Sequence, residues 1–286
     1  MKKLSLFAIT AIILGMMSCD KLKEPYFTEP IVQQSDTIPL TAADTMNFDG
    51  KIVALLEDFS GVKCVNCPEA GALALQLQQQ YEGHLVVMTV HPKSALQNPA
   101  GGFPDFRTDD GNEWNNHFNI SAYPTGMVNR QAAIGTANWA TEIGNVIGSN
   151  APVRLIVKSK YDEATRELKL SIHSKFLQDV ASDDVRLTIC MMEDNIIGKQ
   201  VVPTSVNPAG FDDNYVHRHV FRGTADGITW GRVLSSAESI AAGSNFITNM
   251  KFNVSEDYND NDFYIVALIT DNNDKHVLMA AERKIK

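Results

Sequence analysis

The chain has 286 residues, 44% hydrophobic and 21% charged, which is the balance of a folded globular protein and excludes disordered, collagen-like and low-complexity classes. Lys and Arg total 25 against 34 Asp and Glu, a net charge of −9, and the absence of a basic cluster argues against nucleic acid as a partner. The length predicts two domains.

Residues 1–18 read as a lipoprotein signal peptide. Lys2 and Lys3 form the charged start, and Leu4 to Leu14 is an apolar run too short to span a bilayer as a mature helix. The run ends in Gly15-Met16-Met17-Ser18-Cys19, which resembles a bacterial lipobox with Cys19 as the lipidated residue. Cleavage there removes two lysines and no acid, deepening the net charge to −11. A lipid on Cys19 would tie the chain to a membrane without crossing it, and export would expose its thiols to an oxidising compartment. Residues 19–48, with Pro25, Pro30 and Pro39 among polar residues, read as a tether.

Next comes an α/β region over 49–150. Lys51 to Phe59 predicts a buried strand, and Pro68 to Tyr81, with Leu73, Leu77 and Tyr81 at spacing four, predicts an amphipathic helix. His84 to His91 predicts a second strand, completing a βαβ unit with a parallel pair. Residues 92–112 form a long loop carrying Phe103, Asp105, Phe106, Arg107, Asp109 and Asp110, read either as a surface beside the site or as decoration. A short helix over 113–120, strands near 125–130 and 131–134, and a helix over 136–147 follow. From 151 to 286 strands dominate: 154–158, 167–173, 185–191, 216–221, 246–254, 263–270 and 277–284. This predicts an antiparallel β-sandwich.

The chemistry centres on Cys64-Val65-Asn66-Cys67-Pro68, between the first strand and the first helix. A Cys-x-x-Cys beside a βαβ pattern reads as thioredoxin-like. The free N–H groups of a helix start stabilise a thiolate, which makes Cys64 the expected nucleophile and Cys67 the resolving thiol. A purely structural disulfide is the rival reading, although so short a loop contributes only about 2 kcal/mol in the chain-entropy model. Zinc would need four ligands, and no second Cys-x-x-Cys exists. No cofactor is indicated. Resemblance to thioredoxin implies two more site residues. Asp58, six before Cys64, would lie under the disulfide and move protons, unless it is merely a strand-end acid in solvent. Pro124, in Ala122-Tyr123-Pro124-Thr125, would be a cis-proline facing the cysteines. His91, ending the second parallel strand, should lie near the Cys64 end of the sheet, either tuning the thiol or in solvent.

Several blocks together resemble a named family. They are 56–61 running into Lys63-Cys64-Val65-Asn66-Cys67-Pro68-Glu69-Ala70, then Asp105-Phe106-Arg107-Thr108, and Tyr123 to Arg130. Tyr215 to Val220, Thr229-Trp230-Gly231 and Val277 to Glu282 complete the set. The chain is similar to the Omp28-related outer-membrane lipoproteins. That resemblance implies a thioredoxin-like domain followed by an all-β domain, anchored in the outer membrane and facing the periplasm or the cell surface. It leaves two functions open. One is thiol–disulfide exchange with exported proteins. The other is a surface-binding role, receptor- or adhesin-like, in which the disulfide is a fixed bridge. Val65-Asn66 in place of Gly-Pro, and the lack of a Trp before Cys64, depart from thioredoxin itself. His217 and His219 would share a strand face without a third metal ligand, and 257–262 reads as a solvated turn.

Overall fold

The structure, a computed structural model, describes residues 34–46 and 48–286. The signal peptide, Cys19 and most of the predicted tether lie outside the described residues. The end of that tether is docked rather than free. Ile38 N–H donates to Ser171 Oγ (2.8 Å), Asn249 Nδ2 donates to Thr37 Oγ1 (2.7 Å), and helix α1 (Ala42–Met46) is tied down by Lys158 Nζ to Asp44 (2.7 Å).

The protein is mostly β. In chain order the α/β part comprises β1 (Ala54–Phe59), α2 (Cys67–Gln80), β2 (Leu85–Val90), α3 (Asp109–His117), β3 (Thr125–Val128), β4 (Ala133–Ile134) and α4 (Trp139–Val146). The remaining strands are β5 (Val153–Asp162), β6 (Glu167–Phe176), β7 (Val185–Glu193), β8 (Ile196–Val201), β9 (Phe211–His217), β10 (Val220–Thr224), β11 (Arg232–Ser235), β12 (Asn245–Asn253), β13 (Phe263–Asp271) and β14 (Val277–Lys284).

One mixed sheet of nine strands organises the molecule, in the order β14-β13-β7-β10-β2-β1-β3-β4 with β11 also on β7. It contains strands from both sides of residue 150, so the two predicted parts share a sheet. The join is β10, which pairs parallel with β2 at Val220 and Thr89 and antiparallel with β7. Strand β1 pairs parallel with β2 and antiparallel with β3, and all six of its residues are buried, as expected of a strand covered on both faces. On one face α2 contributes Ala70, Ala74 and Leu77 and α4 contributes Trp139 and Ile143, packed on Leu56 and Val87. On the other, Trp114 of α3 packs with Leu55, Phe59, Met88 and Phe221. A second, three-stranded sheet, β12-β6-β5, packs on β7, β13 and β14 to make the sandwich core.

Three expectations need correction. The helix predicted from residue 113 starts at Asp109, where Thr108 Oγ1 accepts from Gly111 N–H (3.0 Å) and Asp109 and Asp110 favour the first turn. The strand predicted over 216–221 is two strands, broken at His219, whose φ of +54° turns the chain from β9 into β10. Of the hairpin β8–β9, only the end of β9 fell within a predicted strand. Its outer residues Ile197 and Val216 are exposed, so its two faces do not show a clean apolar–polar alternation.

Candidate functional site

Cys64 and Cys67 form a disulfide, with Cα atoms 5.4 Å apart. Cys67 is the first residue of α2, with Pro68 next, a position where a missing N–H costs nothing. The loop leading to Cys64 is held from two sides by buried glutamines. Gln97, from the long loop, receives Val62 N–H on Oε1 (3.3 Å) and donates to the Ser60 carbonyl. A Cβ on Gly61 would sit 2.8 Å from Gln97 Nε2 and 3.1 Å from Leu96 Cβ, so a larger residue would push the buried Gln97 carboxamide off these bonds. Gln200, from β8, donates through Nε2 to the carbonyls of Gly61 and Cys64 (both 3.1 Å), and Val201 N–H donates to Val62 O (2.9 Å). The hairpin β8–β9 thus lies directly over the cysteine loop. Each cysteine retains only 4% of its surface in solvent.

The peptide bond between Tyr123 and Pro124 is cis, and Cys64 Sγ lies 3.6 Å from the Tyr123 carbonyl oxygen. The structure therefore brings Cys64, Cys67 and the Pro124 loop together. Asp58 is fully buried, not a strand-end acid in solvent, and neither carboxylate oxygen has a partner. Burial pushes its pKa up to about 7. Asp58 and Cys67 line one cleft of about 260 Å³, together with His91, Gln200, Tyr215 and His217.

Two of these residues also carry unpartnered buried atoms, His91 Nδ1 and His217 Nε2. Burial lowers the His91 pKa to about 3, with the nearby His217 and Arg222 adding to it, and lowers that of His217 to about 4. Both imidazoles are neutral at physiological pH. Phe106 packs edge-on between them, 5.1 Å from His91 and 4.8 Å from His217 by ring centres. The loop that supplies Phe106 is docked, because Asp110 accepts from Thr224 N–H (2.8 Å) and from the Thr229 hydroxyl (2.6 Å). His219 is satisfied by Gln78 Oε1 of α2 (2.8 Å). Burial raises the Tyr215 pKa, with Asp58 adding to the effect. Among the described residues no group of three or more His, Cys, Asp or Glu is arranged to hold a metal ion.

Of the residues named from the sequence, the structure joins Cys64 to Cys67, sets the Pro124 loop against Cys64, and places Asp58 and His91 on the cleft that Cys67 lines. Sequence reasoning missed Gln97 and Gln200 as part of this site, and met Tyr215 only within a block of family resemblance. None of these carries a local signal, since each acts only through a contact distant in sequence.

The family model for outer membrane protein Omp28 matches residues 111–286. The chain belongs to the Omp28 family. By family it is an outer membrane protein, and no helix among the described residues is long and apolar enough to cross a membrane. Among solved structures it is similar to HBP35 of Porphyromonas gingivalis, at 18% identity and TM-score 0.63, over 82% of this chain and 76% of that one. It is also similar to protein AGR_C_4864 from Agrobacterium tumefaciens, at 14% identity and TM-score 0.51, over 82% and 96% of the two chains. A domain of the outer membrane lipoprotein Omp28 from Porphyromonas gingivalis aligns at 16% identity and TM-score 0.31, over 48% and 89%. These likenesses concern fold. No curated protein sequence matches the chain.

Proposed function

We propose that residues 49–150 form a thioredoxin-like unit whose Cys64–Cys67 disulfide exchanges with thiols in the cell envelope, and that residues 151–286 form a β-sandwich part covering it. The chain would be held at the membrane by a lipid on Cys19. In this reading an incoming thiolate opens the Cys64–Cys67 bond to a mixed disulfide, and a second thiol releases the oxidised product and leaves two cysteine thiols. Asp58 supplies and takes back the proton that the departing sulfur needs.

Asp58 carries this reading. A buried carboxyl without a hydrogen-bond partner is costly, and a protein that used its disulfide only as a staple would gain nothing from it. Here it lines the same cleft as Cys67, with its pKa raised into the range useful for proton transfer near pH 7. The deciding experiment is equilibration of the pair with glutathione and thiol trapping. A potential between about −120 and −270 mV is expected, and one below about −300 mV would mark a structural bridge.

A second reading, a binding protein on a locked scaffold, is favoured by one observation. Both cysteines lie beneath the hairpin β8–β9 with almost no exposed surface. The lower potential is the result that reading predicts.

A further inference from the structure

The cover over the disulfide is not complete, and the place where it is open is informative. The Cys64 side is closed by the Tyr123 carbonyl, by the Gln200 carboxamide and by the Val201-to-Val62 backbone hydrogen bond. An extended polypeptide lying along the Pro124 loop would have to displace the hairpin β8–β9 to reach that sulfur. Both cysteines are equally buried, but Cys67, and not Cys64, is among the residues lining the cleft. At about 260 Å³ it is smaller than the roughly 300–1,000 Å³ sites that enclose drug-sized ligands. Asp58, His91 and His217 line it and carry buried, unpartnered polar atoms behind its wall, and Arg218 lines it too, with Nη1 donating to Asn195 Oδ1 (2.6 Å) and lying 3.8 Å from Asp194. A small polar ligand that displaced the thin cover over these atoms would give each its first hydrogen bond.

Resting on the exchange function proposed above, we infer that the substrate is a low-molecular-weight thiol bearing a carboxylate, of the cysteine or glutathione class, and that it attacks Cys67 rather than Cys64. The geometry reverses the roles expected from the sequence. The incoming thiolate forms a bond to the Cys67 sulfur and the Cys64–Cys67 bond breaks. Cys64 leaves as the thiolate, at the open N-terminus of α2, where the free N–H groups favour negative charge. A second thiolate attacks the substrate sulfur of the mixed disulfide. The symmetrical disulfide departs, the electron pair stays on Cys67, and Asp58 protonates it. Two thiols are oxidised and one protein disulfide is reduced. Arg218 pairs with the substrate carboxylate through the guanidinium donors that Asn195 does not take. Gln200 is a positioning residue, since it holds the hairpin that excludes polypeptide substrates.

The test uses the full chain in detergent, with two probes at equal thiol concentration: reduced glutathione, and reduced, unfolded lysozyme. Glutathione should open the disulfide faster by roughly tenfold or more, and Gln200→Ala should narrow that ratio severalfold by raising the lysozyme rate. Mass spectrometry of single-cysteine variants treated with glutathione disulfide should find the adduct on Cys67 in Cys64→Ser, and much slower adduct formation on Cys64 in Cys67→Ser. Equal rates for the two probes with the intact chain, or faster adduct formation on Cys64, would overturn the inference and leave exchange standing. Failure of both probes, together with a potential below about −300 mV, would instead remove the exchange function and this inference with it.

Discussion

Glu57 and Asp58 are neighbours on β1, both fully buried, and they face opposite sides of the sheet. On the α3 side, Glu57 is met by Arg130, whose Nη2 and Nε donate to its oxygens at 2.7 to 3.1 Å. Arg130 in turn stacks 4.4 Å over the ring of Trp114. On the α2 side, Asp58 has no partner at all. The same strand therefore carries one acid whose burial is fully compensated and one whose burial is not. The first arrangement fixes structure. The second persists only where something else requires it, and here it lines the same cleft as Cys67.

Breaking the compensated side should have the largest effect. Arg130→Met leaves Glu57 charged and alone, and urea unfolding should show a loss of about 3–5 kcal/mol. Adding Glu57→Leu should recover most of that loss, because two apolar groups replace a desolvated pair. The uncompensated side should respond with the opposite sign. With its pKa raised to about 7, Asp58 resists ionisation in the folded state while the unfolded chain ionises it from about pH 4 upward. Its contribution to stability is thus intact below about pH 4 and lost as pH rises toward 7. Asp58→Asn should therefore be more stable than the parent by about 4 kcal/mol at pH 7, with the difference vanishing near pH 4, while disulfide exchange slows.

His217 sharpens the comparison from the acid side. Its pKa is lowered to about 4, so its stabilising neutral form is kept above the ordinary histidine value and lost as pH falls toward 4. His217→Phe should match the parent at pH 7 and exceed it by about 2 kcal/mol at pH 5, read as the midpoint shift in urea titrations at the two pH values. The smallest effect is expected from Thr108→Ala, which uncaps the helix that holds Trp114 against Arg130. Thermal unfolding should report a loss of about 1 kcal/mol.

The parts legible in the sequence were those written in local pattern. The apolar run of β1, the spacing-four stripe of α2, and the long alternating strands β6, β12, β13 and β14 gave their positions to within a few residues. Cys64, Cys67 and Pro124 were legible because their chemistry is rare. What escaped was set by contacts between distant segments. The Glu57–Arg130 pair joins residues 73 apart, and Gln200 reaches back 136 residues to Cys64. The break at His219 was hidden for a related reason. Its left-handed backbone is stabilised by its carbonyl accepting Thr89 N–H (2.7 Å) and by its ring meeting Gln78, neither of which leaves a trace near residue 219.

The pairing of β2 with β10 also sets an order of events in time. In a chain that emerges N-terminus first, β1, β2 and both cysteines are present some 130 residues before Val220 arrives to occupy the free edge of β2. During that interval the edge is bare and the hairpin that will cover the cysteines does not yet exist. A chain exported in that order would meet oxidants with Cys64 and Cys67 still open thiols, and the restricted access of the finished protein would begin only when its last third had folded back.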